Sequence, residues 1–155
     1  MTGSASVSWA EYAAAMPDMA AAGLRLLNQF GPGLGFLATV RRDGGPRLHP
    51  VCPHVADGDL WLFVTPSSPK RSDLERDGRF ALHTFPCPEV DDEFYVTGRA
   101  ERVDDPATRE RVRAGFVSNT TEEEVLFRFT LERALLSVYG PRPSFPPVYT
   151  RWSAG

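Results

Sequence analysis

The sequence predicts a mainly antiparallel β fold, a small closed barrel of six strands decorated by helices. After residue 34, apolar and polar residues alternate in short runs, as in strands that bury one face. The turns Asp43-Gly44-Gly45 and Asp57-Gly58-Asp59 are tight enough to join consecutive runs as antiparallel neighbours. Two longer intervals, after the third run and after the fifth, have helical patterns instead.

The amino-terminal segment, 8–30, is predicted to be helical. Ser8 and Glu11 have the spacing of a capping box, in which each side chain bonds the other residue's free amide. Pro17 interrupts this helix, and Asp18 can cap a second one. One helical stripe follows, made of Met19, Ala22, Leu26, Leu27 and Phe30, before Gly31-Pro32-Gly33 ends it.

Six segments have the pattern of strands. They are 35–41, 47–55, 60–65, 80–85, 93–103 and 127–140. The third is apolar on both faces and is therefore expected to be buried on both. Residues 66–78 are predicted to form a loop that enters a short helix, and Pro106 opens another helix through about Phe116. A short helical turn is expected to start at Thr121.

The carboxy-terminal tail, 141–155, combines four prolines with three aromatic residues. Prolines exclude it from a sheet interior, and aromatic rings are seldom left in water, so we expect it to lie along a surface groove, either of its own chain or of a partner subunit. Without repeats or linkers, the chain is expected to be one domain, 1–155, with amino-terminal helices (8–30), a barrel (34–140) and the tail.

Composition indicates an ordinary globular protein, with 42% hydrophobic and 24% charged residues and a net charge of −3. This balance gives no electrostatic reason to expect binding to nucleic acid or to an anionic membrane. No apolar run approaches the roughly 20 residues of a membrane span, and the first residues lack a secretory signal pattern. We therefore expect a soluble, cytoplasmic protein.

Cysteine and histidine spacing favours no metal site. Cys52 and Cys87 are far apart, and in a reducing compartment they are expected to be free thiols. His49, His54 and His83 show no ligand spacing either. We also find no nucleophile–base pair and no acid–base pair of carboxylates, so no catalytic residue is assigned.

One lysine stands among 17 basic side chains, the other sixteen being arginine. This residue, Lys70, follows the third strand at the predicted start of a helix, together with Thr65, Ser68 and Arg71. Hydroxyls and cations at a helix start, aided by the helix dipole, are the donors that a phosphate dianion requires. The segment therefore predicts an anion site, whereas the alternative is a set of solvated surface charges.

Three passages resemble the pyridoxamine 5′-phosphate oxidase-like family of FMN-binding split barrels. They are Gly35-Phe36-Leu37-Ala38-Thr39-Val40 with Pro46-Arg47-Leu48-His49-Pro50-Val51, then Phe63-Val64-Thr65 with Ser68-Pro69-Lys70, and Tyr95-Val96-Thr97-Gly98-Arg99-Ala100-Glu101. The similarity runs over about 34–140. It implies a Greek-key split barrel and a homodimer that holds FMN at the subunit interface.

The resemblance also assigns residues to the cofactor. It places the flavin phosphate at Lys70, with Ser68, Arg71, Thr65 and Val64 around it. Residues of the second strand, His49, Pro50 and Val51, would line the flavin ring, and Thr39 could face it. Trp152 could cover the ring from the partner subunit or anchor the dimer instead.

Departures from the family pattern limit the activity that is expected. Pro69 stands where the oxidase branch has arginine, and Glu93 stands where a glutamine contacts the flavin. The arginine-rich carboxy-terminal motif that recognises pyridoxal phosphate is not evident. True pyridoxamine phosphate oxidase activity is therefore not expected.

Three functions remain open from the sequence. The first is an FMN-dependent oxidoreductase acting on an unidentified small molecule, for which the cofactor supplies the electron chemistry. The second is a reductase that uses the deazaflavin coenzyme, although no basic cluster beyond 70–79 is available for that coenzyme's polyglutamate tail. The third is a non-enzymatic split barrel that binds flavin or haem, or nothing.

Overall fold

The computed structural model describes residues 5–116, 119–140 and 145–155. The first residues of the chain and the first four residues of the tail, whose predictions are given above, lie outside these ranges. In the described part, the helices are α1 Trp9–Ala15, α2 Pro17–Leu27, α3 Pro69–Arg76 and α4 Pro106–Ala114. The strands are β1 Gly35–Val40, β2 Pro46–Val51, β3 His54–Ala56, β4 Asp59–Val64, β5 Arg79–Thr84, β6 Glu93–Val103, β7 Val125–Val138 and β8 Val148–Ser153.

The predicted fold class is confirmed: the protein is a mainly β split barrel with antiparallel pairing throughout. The described strands form one eight-stranded sheet in the order β2-β1-β5-β6-β7-β4-β3, with β8 added alongside β7. Strand β4 is buried on both faces from Leu60 to Val64, as the sequence predicted.

The prediction of six strands was wrong: the sheet has eight, because one predicted strand is divided into two and the tail adds another. Segment 47–55 splits at Cys52-Pro53 into β2, which pairs with β1, and β3, which pairs with β4. Proline has no N–H to give to a ladder, so it is confined to edge strands such as β2, strand ends and bulges. The break at Pro53 therefore lets the chain pass from one end of the sheet order to the other.

The prediction for the tail was also wrong in part. Its last residues form β8, which pairs with β7 of the same chain from Arg133↔Ser153 to Val138↔Val148. The described tail prolines, Pro146 and Pro147, precede this strand, so they do not interrupt its hydrogen bonds.

The amino-terminal helices cover one end of the barrel core. The capping box is confirmed, since Glu11 N–H donates to Ser8 Oγ at 3.1 Å and Ser8 N–H donates to the Glu11 carboxylate at 2.7 Å. The second helix differs from prediction: Pro17 is its first residue and Met16 its cap, so Asp18 lies in the first turn. Tyr12 is fully buried and its ring packs on Trp152, at 4.9 Å between centroids.

The predicted helical turn at Thr121 is a hydrogen-bonded turn without a helix. Glu124 N–H donates to the Thr121 carbonyl at 3.3 Å, while Thr121 N–H donates to the Glu124 carboxylate at 3.1 Å. No helix in the described ranges is long and apolar enough to cross a membrane.

Gly98 marks the point where the register of β6 against β7 shifts. A Cβ at this position would lie 1.8 Å from the Thr130 carbonyl oxygen, which is backbone and cannot move aside easily. The shift therefore requires a residue without a side chain.

We expect Gly98→Ala to lower the free energy of unfolding by about 3 kcal/mol, the upper part of the range for overpacking. Gly115→Ala is the matched control, because its Cβ would come no closer than 3.3 Å to any neighbour. Denaturant unfolding of both variants measures the difference. Equal stability of the two variants would contradict this account of the register shift.

Candidate functional site

A cavity of about 240 Å³ lies between the end of β2, the β4–α3 connection and the segment that leads into β7. Its walls are mixed, with apolar residues on one part and polar residues on another, and among the described residues that line it Lys70 is the cation and Glu124 the carboxylate. The lining residues are Pro50, Val51, Cys52, Leu62, Phe63, Thr65, Lys70, Phe116, Asn119, Thr120 and Glu124.

Lys70 is half-buried at this cavity. Its Nζ donates to Ser68 Oγ at 3.0 Å, which leaves two of the three ammonium donors without a partner in the described chain. Burial lowers the pKa of Lys70 from its usual value, and among the described residues no carboxylate forms an ion pair with it. A partly desolvated cation with free donors is suited to an anion.

Local backbone geometry places Lys70 at the start of α3. Ser68 is the extended cap residue and Pro69 occupies the first turn, where its missing N–H costs nothing. The connection is closed by Ser68 N–H, which donates to the Thr65 carbonyl at 2.9 Å. As a result, the exposed Thr65 and the half-buried Lys70 line the same cavity.

Asp73 and Arg47, which the sequence did not assign to the site, form an ion pair between α3 and β2. Asp73 of α3 is 2% exposed and accepts from Arg47 Nε of β2 at 2.6 Å. Arg47 lies on the same face of β2 as His49, because the two are separated by one residue of a strand. Strand alternation could have indicated Arg47, but no sequence signal links it to Asp73.

His49 lies beside this cationic group. Burial, followed by the positive charges of Lys70 and Arg47, lowers the pKa of His49 below its usual value. The imidazole is therefore neutral at pH 7, and its Nε2 is buried with no hydrogen-bond partner among the described residues.

The structure brings together four of the ten residues that the sequence assigned to the cofactor, since Pro50, Val51, Thr65 and Lys70 all line the cavity. Ser68 holds Lys70. Arg71 bonds the Pro66 carbonyl at 2.6 Å and the Glu75 carboxylate at 2.9 Å, and it is not among the residues that line the cavity.

The remaining assigned residues lie elsewhere in the chain. Val64 is 1% exposed within the core. Glu93 lies 3.6 Å from His83 Nε2 at a different cavity, and Trp152 packs on Tyr12. Thr39, which was considered for the flavin ring, is buried and donates to Asp73 at 2.8 Å.

Fold and site together define a split-barrel protein with a cavity after its fourth strand that contains an unpaired lysine. The chain belongs to the pyridoxamine 5′-phosphate oxidase family, whose family model matches residues 22–137. No match was found among the curated proteins.

Solved structures share the fold. A conserved hypothetical protein from Mycobacterium tuberculosis, Rv2991, is 25% identical, with a TM-score of 0.54 over 65% of this chain and 74% of that one. A heme binding protein from Mycobacterium smegmatis is 18% identical, with a TM-score of 0.64 over 86% of this chain and 57% of that one. An F420 reductase is 22% identical, with a TM-score of 0.54 over 66% of this chain and 89% of that one.

Proposed function

We propose that the protein is an FMN-binding oxidoreductase in which Lys70 receives the flavin phosphate. The observation that carries the proposal is the half-buried ammonium of Lys70, unpaired with any described carboxylate, at a cavity that also has an apolar part. A charge so placed is costly unless an anion offsets it. FMN combines a phosphate dianion with a flat aromatic ring that has an apolar and a polar edge, which matches the cation and the mixed lining of this cavity.

The donors around Lys70 fit a phosphate. The Lys70 ammonium has two free N–H groups and the Thr65 hydroxyl lines the same cavity. Arg47 of β2 does not line the cavity, but it lies near it, since Arg47 and Lys70 both lower the pKa of His49. Hydrogen bonds between charged partners are roughly twice as strong as those between neutral ones. The phosphate would thus be held by side chains at the start of α3 and in the connection before it, with Arg47 of β2 nearby.

The apolar part of the cavity fits a flavin ring. Pro50, Val51 and Cys52 form one wall, and Phe63 and Phe116, whose rings lie 5.1 Å apart, contribute to another. Bound flavin would supply hydride or electron transfer, so the chain's part is to hold and orient the ring and exclude water. The substrate is a small molecule that reaches the exposed face of that ring.

A homodimer would complete the site. Cofactor pockets usually enclose about 300–1,000 Å³, so a cavity of about 240 Å³ covers only part of FMN. The outer apolar face beside it, formed by Leu48, Pro50, Phe36 and Phe85, includes the 66% exposed Leu48 and the stacked rings of Phe36 and Phe85. Pro50 belongs both to this outer face and to the lining of the cavity. A second copy of the chain bound to the outer face would therefore reach the cofactor.

Binding titrations with FMN, riboflavin and the deazaflavin coenzyme test the proposal. We expect the purified protein to bind FMN, detected by quenching of flavin fluorescence, and to bind riboflavin more weakly because riboflavin lacks the phosphate. Binding of the deazaflavin coenzyme without FMN would replace the proposal with a deazaflavin-dependent reductase. Binding of neither would favour a non-enzymatic split barrel, for which haem is the next ligand to titrate.

Lys70→Ala should weaken FMN binding by roughly 1.5–3 kcal/mol, the contribution of a hydrogen bond to a charged group. Riboflavin binding should change little, since no phosphate is lost. Arg42→Ala, which removes an exposed cation from the β1–β2 turn, is the matched control and should leave both affinities unchanged. An unchanged FMN affinity in Lys70→Ala would place the phosphate elsewhere.

Leu48→Asp should weaken the dimer by at least about 2 kcal/mol, because it buries a charge in the proposed interface. Analytical ultracentrifugation over a range of concentrations measures this shift. Val148→Asp is the control, since Val148 is 72% exposed on β8 and lies outside the proposed interface. A dimer unaffected by Leu48→Asp, or a monomeric parent protein, would contradict the proposed interface.

A further inference from the structure

Asp73 of α3 has a buried carboxylate that accepts hydrogen bonds from three side chains, two of which lie outside this helix. It is 2% exposed and its Oδ2 accepts from both Thr39 Oγ1 at 2.8 Å and Arg47 Nε at 2.6 Å. Its Oδ1 accepts from Arg76 at 3.3 Å. Burial alone would raise the pKa of Asp73, but these hydrogen bonds outweigh it and lower the pKa, so the carboxylate is ionised.

Three elements are fixed to one another by this carboxylate. Thr39 belongs to β1, Arg47 to β2, and Asp73 itself to α3. Asp73 lies three residues after Lys70, and residues with this spacing are neighbours on one face of a helix. The arginine that Asp73 holds is therefore kept on the side of α3 from which Lys70 projects.

The bond to Asp73 uses only one donor of the Arg47 guanidinium. The interaction runs through Nε, and the two terminal amino groups have no other partner in the described chain. Because the guanidinium is planar, a hydrogen bond at Nε fixes the direction in which its terminal N–H groups point. This arrangement suits a phosphate, which accepts such paired donors.

The charges around Asp73 leave a positive surplus that favours a phosphate. Lys70, Arg47 and Arg76 contribute three positive charges, Asp73 contributes one negative charge, and His49 is neutral because its pKa is lowered. With the Glu124 carboxylate, which lines the same cavity as Lys70, the remaining charge is about +1, which still favours a phosphate monoester that carries about −1.5 to −2 at pH 7. The negative charge of Asp73 is thus compatible with a nearby anion because both arginines offset it.

We infer that Asp73 is a positioning residue of the phosphate site, which holds Arg47 beside Lys70 and makes the site selective for phosphorylated flavin. The inference rests on the proposed function, since it takes the ligand of that cavity to be FMN. It also predicts that FMN affinity changes in an unusual direction when the Asp73 carboxylate is removed. Removing a negative charge near a bound anion normally strengthens binding, whereas loss of this carboxylate should weaken it.

The test compares FMN with riboflavin in Asp73→Asn and in Asp77→Asn. Both changes replace an ion-paired aspartate of the same helix region, because Asp77 caps the end of α3 and pairs with Arg79 at 2.6 Å. We expect Asp73→Asn to weaken FMN binding about tenfold, the scale found for groups that orient metal ligands, with riboflavin affinity unchanged. Asp77→Asn should change neither affinity.

Three other results would overturn the inference, each in a recognisable way. Tighter FMN binding by Asp73→Asn would show that the carboxylate only repels the phosphate. Equal losses for FMN and riboflavin would show a merely structural role. Failure of the parent protein to prefer FMN over riboflavin would overturn the proposed function itself, and the inference with it.

Thr39→Val keeps the test decisive if Asp73→Asn does not fold. It preserves the carboxylate and removes one hydrogen bond that orients it. We expect it to lower the preference for FMN over riboflavin by about threefold, a fraction of the effect of losing the charge. An unchanged preference in a folded Thr39→Val protein would count against the inference.

Discussion

Strand β7 holds the two parts of the sheet together. It pairs with β6 along one edge, and along the other edge with β4 in its first half and β8 in its second half. Leu126, Phe127 and Leu131 of this strand are fully buried, so their hydrophobic contacts reinforce the backbone ladder. The candidate cavity depends on this arrangement, because β4 leads directly into the connection that carries Lys70.

The site itself depends on a change of direction at Cys52-Pro53. Strand β2 ends there, after presenting Pro50 and Val51 to the cavity, and the chain then turns to pair with β4 as β3.

The charged side chains at the site form two groups, one at the cavity and one around the buried Asp73. Lys70 faces the cavity, while Arg47 and Arg76 share the buried carboxylate of Asp73 behind it. A buried ion pair is only weak evidence for stability, because desolvation offsets much of its attraction. Its value here is geometric, since it fixes a helix against a hairpin and directs a guanidinium. Membership of the pyridoxamine 5′-phosphate oxidase family is consistent with a phosphate-bearing ligand at such a surface.

The sequence alone determined the antiparallel β class, the capping box at Ser8, the two buried faces of β4 and the position of Lys70 at a helix start. These features depend on periodicity, caps and turns, which act between residues close together in the chain. The tertiary structure decided the division at Pro53, the pairing of the tail with β7, and the Arg47–Asp73 contact. Each of these depends on register and packing between distant segments, and no local pattern encodes which partners will meet.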